Sequence, residues 1–527
     1  MRIAARQVGS MGPPSVLRIM PRMAPLQTPE IASTRLIIGL EIHIELATRT
    51  KMFTRAPSLA HPSHYDAAPN TLVDPLVMAL PGALPVMNRR AVEMSMKVGL
   101  ALGCSIARRC RWDRKNYYYP DLPKGYQISQ YDRPLCSDGA WVLGGSDRRI
   151  GIIRAHLEED TGKLGHELPG GHDYEGSLVD LNRAGTPLLE VVTAPDFTTA
   201  DEVVQFAQEL RDLCRFLRVT EGIMQKGHMR FEPNVNLALT LVDGTEVRTP
   251  VVEVKNLNSF RALKGAIEHE SVRQVEAWRQ DGRVMGRGMK ATRGWDDVRL
   301  VTVLQREKED AHDYRYFPDP DLVWVEVDDA WLARVRGELV ELPAARAQRY
   351  LGPWGLARKD ADQILAEPDL SDFFEACVAA AGGAPAAALG IAKLLLNVGM
   401  KHANERARPL HRAGITPQQV AGLMALRDEG TINAGSADAL FGMLCESDDE
   451  PRAAAERAGM VIVRDDSALD AWVDAALAAN AQAAVDLRAG KMAAMGRIMG
   501  HVMKASGGTV DAKTVQARVM ERVGKGA

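Results

Sequence analysis

The sequence predicts an α+β protein in three blocks: a mixed-sheet body, an all-helical middle region and a small helical tail. Three observations carry this. Up to about residue 325, short Val/Ile-rich runs are broken by clusters such as Asp121-Leu-Pro-Lys-Gly125 and Leu168-Pro-Gly-Gly171, the texture of strands and turns. Beyond that point alanine rises, strand formers thin out, and helical periods follow one another. The end of the chain is again helical, with Gly507-Gly508 setting off a terminal segment. A length of 527 residues suits three or so domains, each with its own core. The expected divisions are 1–33, 34–325, 326–455 and 456–527.

Residues 1–33 carry Arg2, Arg6, Arg18 and Arg22 with no acid before Glu30. That composition resembles an organellar transit peptide; a disordered extension, or a start codon misplaced upstream of Met11, Met20 or Met23, explains it as well. In the body, Val203, Phe206, Leu210, Leu213 and Leu217 recur at helical spacing and predict a helix over Ala200–Leu217. A second is expected over Ser259–Trp278, with Ser259 as its cap. The middle region predicts helices at Leu356–Leu365, Ser371–Ala381, Ala386–Val398, Thr416–Leu426 and Asn433–Cys445. The tail predicts them at Asp466–Ala478, Ala483–Lys504 and Asp511–Val523.

The bulk numbers exclude several classes. With 65 Lys and Arg against 68 Asp and Glu, the chain is no polycation, so any nucleic-acid contact must use a local basic patch. The six cysteines, Cys104, Cys110, Cys136, Cys214, Cys377 and Cys445, form no two-residue pair and no disulfide framework, which fits a reducing cytoplasm. No stretch approaches the ~18 uninterrupted apolar residues of a membrane span. There is no P-loop, kinase loop set, GxSxG elbow or HExxH.

Three strands have charged faces. In Leu40-Glu-Ile-His-Ile-Glu-Leu46, alternation buries the aliphatic residues and puts Glu41, His43 and Glu45 on the other face. Neighbours there stand about 6.6 Å apart, close enough to flank one ion or phosphate; a solvated sheet face alternates in the same way. Ile150-Gly-Ile-Ile-Arg-Ala-His-Leu-Glu-Glu-Asp160 ends in three consecutive acids, with Arg154, His156 and Glu158 sharing a face. Such oxygen ligands suit Mg²⁺, and an acidic turn is also merely soluble. In Val251-Val-Glu-Val-Lys-Asn-Leu-Asn-Ser259, Glu253 and Lys255 share a face, and Asn256 and Asn258 lead into a capped helix. That junction is either an anion site or an ordinary loop-to-helix turn.

Eight motifs then occur in order: Gly39-Leu-Glu-Ile-His43, Pro81-Gly-Ala-Leu-Pro-Val86, Asp113-Arg-Lys-Asn-Tyr-Tyr-Tyr-Pro120, Lys124-Gly-Tyr-Gln-Ile-Ser-Gln130, His156-Leu-Glu-Glu-Asp160, Leu178-Val-Asp-Leu-Asn-Arg-Ala-Gly-Thr-Pro187, Lys255-Asn-Leu-Asn-Ser-Phe260 and Asp313-Tyr-Arg-Tyr-Phe-Pro318. In this order they resemble the B subunits of the GatCAB amidotransferases. Asn433–Val461 and Asp486–Ser506 are similar to the helical domain shared with the YqeY proteins. The resemblance runs from about Leu36 to Val523.

The resemblance implies a cradle-shaped body, a helical domain and a YqeY-like tail that holds the tRNA elbow. It also implies a reaction: ATP phosphorylates the side-chain carboxylate of glutamyl-tRNA(Gln), aspartyl-tRNA(Asn) or both, and ammonia then displaces phosphate. The ammonia comes from an A subunit, an amidase, and a small C subunit completes a heterotrimer. By the same resemblance Glu41, His43, Glu158 or Glu159, and Glu253 would hold Mg²⁺. Lys255, Lys163 and Arg230 would meet phosphate, while Asn256 and Asn258 would orient substrate. The implied compartment is the bacterial cytoplasm, or an organelle if residues 1–33 act as a transit peptide.

Departures matter too. Family members often carry four cysteines between the first strand and the Pro-Gly-Ala-Leu-Pro motif; here Thr54–His64 and Asp74–Met78 hold none, so no structural zinc is expected. Met229-Arg-Phe-Glu-Pro-Asn234 replaces the usual Arg-Cys-Asp-Ala-Asn, leaving Glu232 one methylene longer than the family's acid. Arg293-Gly-Trp-Asp296 replaces Arg-Xaa-Phe-Asp. In the tail, residues 485–527 hold eight Lys and Arg against three Asp and Glu. There Met492, Met495, Met499 and Val502 are expected as an apolar stripe, with Arg497, His501 and Lys504 on a face for tRNA or simply for solvent. The rival to an enzyme is a tRNA-binding scaffold of the same fold without kinase chemistry. Retention of Glu41, His43, Glu158, Glu159 and Glu253 argues against it.

Overall fold

The computed structural model describes residues 29–168, 171–286, 289–308, 314–462, 466–506, 510 and 512–525. Most of the 1–33 extension, Asp313 of its motif, the Gly507-Gly508 pair and Asp511 therefore lie outside the described residues. The chain forms two compact units that meet in sequence at Leu339/Val340.

The first unit is built on a thirteen-stranded sheet. In chain order its main elements are β1 (Ile31–Glu45), α1 (Arg89–Ala101), β2 (Asp113–Asn116), β3 (Tyr126–Ser129), β4 (Cys136–Val142), β5 (Arg149–Glu159), β6 (Lys163–Leu168), β7 (His172–Asp180), β8 (Pro187–Thr193) and α2 (Ala200–Phe216). There follow β9 (Met229–Leu241), β10 (Val252–Lys255), α3 (Phe260–Asp281), β11 (Lys290–Asp296), β12 (Val301–Lys308), β13 (Phe317–Pro318) and α4 (Asp329–Gly337). The main path runs β12-β11-β10-β9-β1-β8-β5-β3-β2-β13. Only β10–β11 is parallel among these pairs; β6 and β7 form a separate hairpin.

β1 is the axis of the sheet, pairing with β8 on one side and β9 on the other. The alternation read from its sequence holds: Leu40, Ile42, Ile44 and Leu46 are fully buried, each contributing roughly 1.5–3 kcal/mol of burial. The two expected body helices form. A capping box between Thr199 and Glu202 starts α2, and Ser259 accepts a hydrogen bond from the Ala262 amide to start α3. The two helices pack together, and α3 covers β9.

Helix α1 has no counterpart in the sequence prediction. Over Val92-Glu-Met-Ser-Met-Lys-Val98 apolar and polar residues alternate at the period of a strand, and in the helix Glu93 and Lys97 are buried along with the aliphatic residues. Its buried charges are met by α4 and the residue beyond it. Glu93 accepts from Arg334 and, at 3.1 Å, from the Trp331 indole, while Lys97 pairs with Glu338 at 2.7 Å.

The second unit is helical throughout its described residues. It comprises α5 (Pro343–Leu351), α6 (Arg358–Leu365), α7 (Pro368–Ala380), α8 (Pro385–Leu394), α9 (Met400–Glu405), α10 (Pro417–Asp428), α11 (Ala434–Leu444), α12 (Pro451–Arg457), α13 (Asp466–Ala479), α14 (Ala481–Arg488), α15 (Met495–Ala505) and α16 (Ala512–Lys525). Two expectations change here. The helix expected over Ala386–Val398 passes through a π turn at Leu395–Gly399 into α9. The single helix expected over Ala483–Lys504 is broken into α14 and α15, because Gly490 takes a left-handed φ of 82° and its amide closes back on the Leu487 carbonyl.

That break resets the tail's face. The buried stripe of α15 is Met495, Ile498 and Val502, joined by Leu469, Val473, Val515 and Val519 in one core. Met492 precedes the helix in a 3₁₀ turn and is exposed, so it leaves the stripe. Among the described residues, no helix is long and apolar enough to cross a membrane.

Candidate active site

The register of the central strands sets out the site. Across the sheet, Arg230 on β9 stands opposite His43 on β1, His43 opposite Glu190 on β8, and Glu190 opposite His156 on β5. Directly paired residues share a face, so four strands contribute one row of ionisable side chains. One step along, Glu232 faces Glu41, and Asn234 faces Glu253 on β10.

This face walls a cavity of about 500 Å³. Six cations (Lys115, Arg154, Arg183, Arg230, Lys255 and Lys290) and six carboxylates (Glu41, Glu158, Asp160, Glu190, Glu232 and Glu253) line it, with His43 and His156. Formal charge thus nearly cancels. A polyphosphate entering the cavity would leave it strongly negative unless it brought cations of its own.

At the centre, one nitrogen is ringed by three carboxylates: His43 Nε2 lies 3.7 Å from Glu41, 3.6 Å from Glu158 and 3.5 Å from Glu190. His156 Nε2 approaches the same Glu190 oxygen at 3.5 Å. Burial alone would depress His43, but its hydrogen bond to Glu190 and the charges of Glu190, Glu232 and Glu158 outweigh burial and hold it up at about 9. Burial dominates at His156 and pulls it down to about 4. Burial pushes Glu158 up to about 7 against the pull of Lys115. Glu190, desolvated yet flanked by His156 and His43, is held well below the usual carboxylate range.

Two overlapping groups can hold a cation, with ligand atoms within 4.8 Å of one another: Glu41, His43 and Glu190, and His156, Glu158 and Glu190. Both imidazoles leave a buried Nδ1 without a hydrogen-bond partner. The donor set of carboxylate oxygens with one imidazole each suits Mg²⁺ or Mn²⁺. To act as a ligand, His43 must give up the proton its acidic neighbours favour.

Two cationic arms flank this centre. Lys255 reaches Glu232 at 2.5 Å and Glu253 at 3.0 Å, and Lys290 adds a contact to Glu253 at 3.5 Å. Arg230 holds Asp160 at 2.7 Å, with Arg183 3.5 Å from the same oxygen. Asp160 is thereby kept ionised, its acidity strengthened by Arg183 and Arg230 in spite of burial.

Of the residues singled out in the sequence, Glu41, His43, Glu158, Glu253, Lys255 and Arg230 meet on the cavity wall. Four others do not. Strand alternation turns Glu159 to the opposite side of β5, where it accepts from Lys124 and from the Ile128 amide. Lys163 begins the separate β6–β7 hairpin and is exposed. Asn256 takes a left-handed φ of 66° that swings the chain out of β10, and its side-chain amide donates to the Trp295 carbonyl. Asn258 lies exposed beyond it. Arg497, His501 and Lys504 are on α15, in the other unit, and are exposed there.

Against this geometry, comparison with known proteins is decisive. Residues 36–333 match the GatB/GatE catalytic domain, and residues 372–523 match the GatB domain. The chain belongs to the family of aspartyl/glutamyl-tRNA(Asn/Gln) amidotransferase B subunits. It is 42% identical to the family member from Moorella thermoacetica over 489 residues, 92% of this chain and 99% of the relative. Identity is 41% with the member from Rhodopirellula baltica, over 89% of this chain and 93% of the relative. With that from Thermomicrobium roseum it is 42%, over 92% and 97%. Motif reading of this family sequence had missed several cavity residues as site candidates: Glu190, Lys115, Tyr117, Tyr314 and Tyr316. Glu190 did leave a signal, being the one acid in the buried strand Pro187-Leu-Leu-Glu-Val-Val-Thr193, where a lone charge demands a partner. Lys115 left none.

Proposed function

We propose that the cavity is the carboxyl-activating site of a tRNA-dependent amidotransferase. The substrate is glutamyl-tRNA(Gln), aspartyl-tRNA(Asn) or both. An oxygen of the side-chain carboxylate attacks the γ-phosphorus of ATP, and the bond to the bridging oxygen breaks to release ADP. Ammonia then attacks the acyl phosphate carbon, the C–O bond breaks, and the nitrogen gives up one proton to the departing phosphate, leaving an amide. Phosphorylation is needed because a carboxylate oxygen is a poor leaving group.

The observation that carries this reading is the ring of Glu41, Glu158 and Glu190 around His43, set among six cations within a buried face. Phosphoryl transfer asks a protein chiefly to position reactants and neutralise charge. Lys255, Lys290 and Lys115 would meet phosphate oxygens, and Arg230 with Arg183 would orient the acceptor side of the cavity. Glu41, His43, Glu158, Glu190 and His156 would hold Mg²⁺, which supplies charge neutralisation for the polyphosphate. Glu253, ion-paired with Lys255 and Lys290, would keep both ammonium groups aimed into the cavity.

In this reading the ammonia comes from an amidase A subunit, a C subunit completes the heterotrimer, and the basic face of α15 contacts tRNA in the bacterial cytoplasm. The test is ADP release by the assembled enzyme with and without glutamyl-tRNA(Gln), comparing wild type with His43→Ala and Glu253→Gln. Release that needs the charged tRNA and collapses in both variants is the expected result. Tight tRNA binding without ADP release on either glutamyl-tRNA(Gln) or aspartyl-tRNA(Asn) would return a scaffold instead.

A further inference from the structure

The cavity also has a wall that charge compensation leaves unexplained. Four tyrosines line it: Tyr117, Tyr131, Tyr314 and Tyr316. Tyr131 and Tyr316 stack in parallel, with ring centroids 4.1 Å apart and planes 10° from coplanar. Tyr314 meets Tyr316 edge-on at 6.0 Å and Tyr117 at 5.9 Å.

The backbone is committed to this arrangement. Arg315, between two of the rings, takes a left-handed φ of 46°, a conformation costly for a residue with a Cβ. Asn116 holds the turn down: its amide donates to the Tyr314 carbonyl at 2.9 Å, and its side-chain NH₂ donates to the Arg315 carbonyl at 2.8 Å. The rings are not sealed in a core, since Tyr131 is 51% exposed. Lys115 lies beside the wall, its ammonium 5.2 Å from the centre of the Tyr314 ring, where burial opposes its charge but Glu158 and Glu190 keep it protonated.

We propose that the Tyr131/Tyr316 pair is the stacking platform for a purine nucleotide, with Lys115, against the neighbouring Tyr314 ring, for its phosphate. Flat aromatic faces beside a cationic groove are what a base and its phosphate require: stacking accepts any π-face, and the cation follows the backbone. A core explanation fails because the rings border a polar cavity. A charge-relay explanation fails because burial keeps Tyr316 neutral, pushed up to about 12. This inference rests on reading the cavity as the carboxyl-activating site, where two purines are at hand: the adenine of ATP and the terminal adenosine of the tRNA.

The experiment uses the full chain in the assembled enzyme, as wild type, Tyr131→Leu, Tyr316→Leu and Tyr316→Phe. Equilibrium binding is measured for ATP with Mg²⁺, for charged tRNA, and for tRNA lacking its terminal adenosine, beside KM values from ADP release. Both Leu variants should weaken one ligand by about tenfold, while Tyr316→Phe stays within about twofold of wild type. A loss confined to ATP assigns the platform to adenine. A loss confined to tRNA that disappears when the terminal adenosine is absent assigns it to tRNA. Unchanged binding of both ligands overturns the proposal, and so does a Phe variant as weak as the Leu variant, since a hydroxyl rather than a ring would then be at work. Wild type that binds but releases no ADP overturns the carboxyl-activation reading alone, because the binding comparison still judges the platform.

Discussion

The cavity of the first unit and the basic face of the tail are both rich in charge, yet they are built in opposite ways. In the cavity, Glu158, Glu190, Glu253 and His156 are buried, and each is tied to partners on other strands. In the tail, Arg497 and Lys504 stand exposed on α15, whose stability comes from the apolar row beneath them. Buried charges depend on each other because leaving one unpaired costs the full desolvation of its partner. Exposed charges act independently and are screened by salt. One region should therefore fail when any single member is removed, and the other should fade by increments.

The largest effect is expected in the cavity. His43→Ala and Glu158→Gln should each lower charged-tRNA-dependent ADP release by about 10²-fold or more, while tRNA affinity, measured separately, changes little. Equal losses in both would erase the contrast between the regions. The next effect lies under the basic face. Ile498→Ala should lower the stability of the tail by about 2–4 kcal/mol, seen as an earlier denaturation transition, because Ile498 is fully buried in its core. Smaller still, Arg497→Ala and Lys504→Ala should leave kcat at saturating tRNA intact. Each should reduce the salt slope of tRNA binding by about one unit. A kcat loss from either would mean that the tail reaches the chemistry.

The smallest effect sharpens the rule for buried charge away from the cavity. Burial works to raise Glu270, but Arg273, bonded to both its oxygens at 2.8 Å, with Thr302 and Gln274, lowers it below the ordinary value. A carboxylate depressed in the folded state contributes stability above its unfolded value near pH 4.3 and loses it as pH falls through the folded value. Denaturation midpoints followed from about pH 6 to about pH 3 should drop on the acid side in wild type. Glu270→Gln, starting from a lower plateau, should flatten that drop.

Much of this was legible before the fold. The alternation of Leu40–Leu46 marked the buried and charged faces of β1, and the apolar period from Val203 to Leu217 and the cap at Ser259 marked two helices where they form. Other features were not legible, for identifiable reasons. Helix α1 alternates apolar and polar residues over Val92–Val98, a strand's period, and its polar residues Glu93 and Lys97 are buried by tertiary contacts. The break at Gly490 depends on one left-handed residue inside a continuous helical period. Neither Glu158 nor Glu159 could be preferred as a ligand, since adjacent acids differ only in which side of a strand they face.

The amino-acid sequence by itself determined that a mixed-sheet body precedes a helical region, the charged faces of individual strands and the family, because period, cap and motif are local properties. Only the tertiary structure decided which faces meet. The pairing of β1 with β8 and β9 sets Glu190 and Arg230 beside His43, and β5 brings His156 against Glu190. Residues distant along the chain become neighbours because strands far apart in sequence pair, and the buried faces they share then set the register.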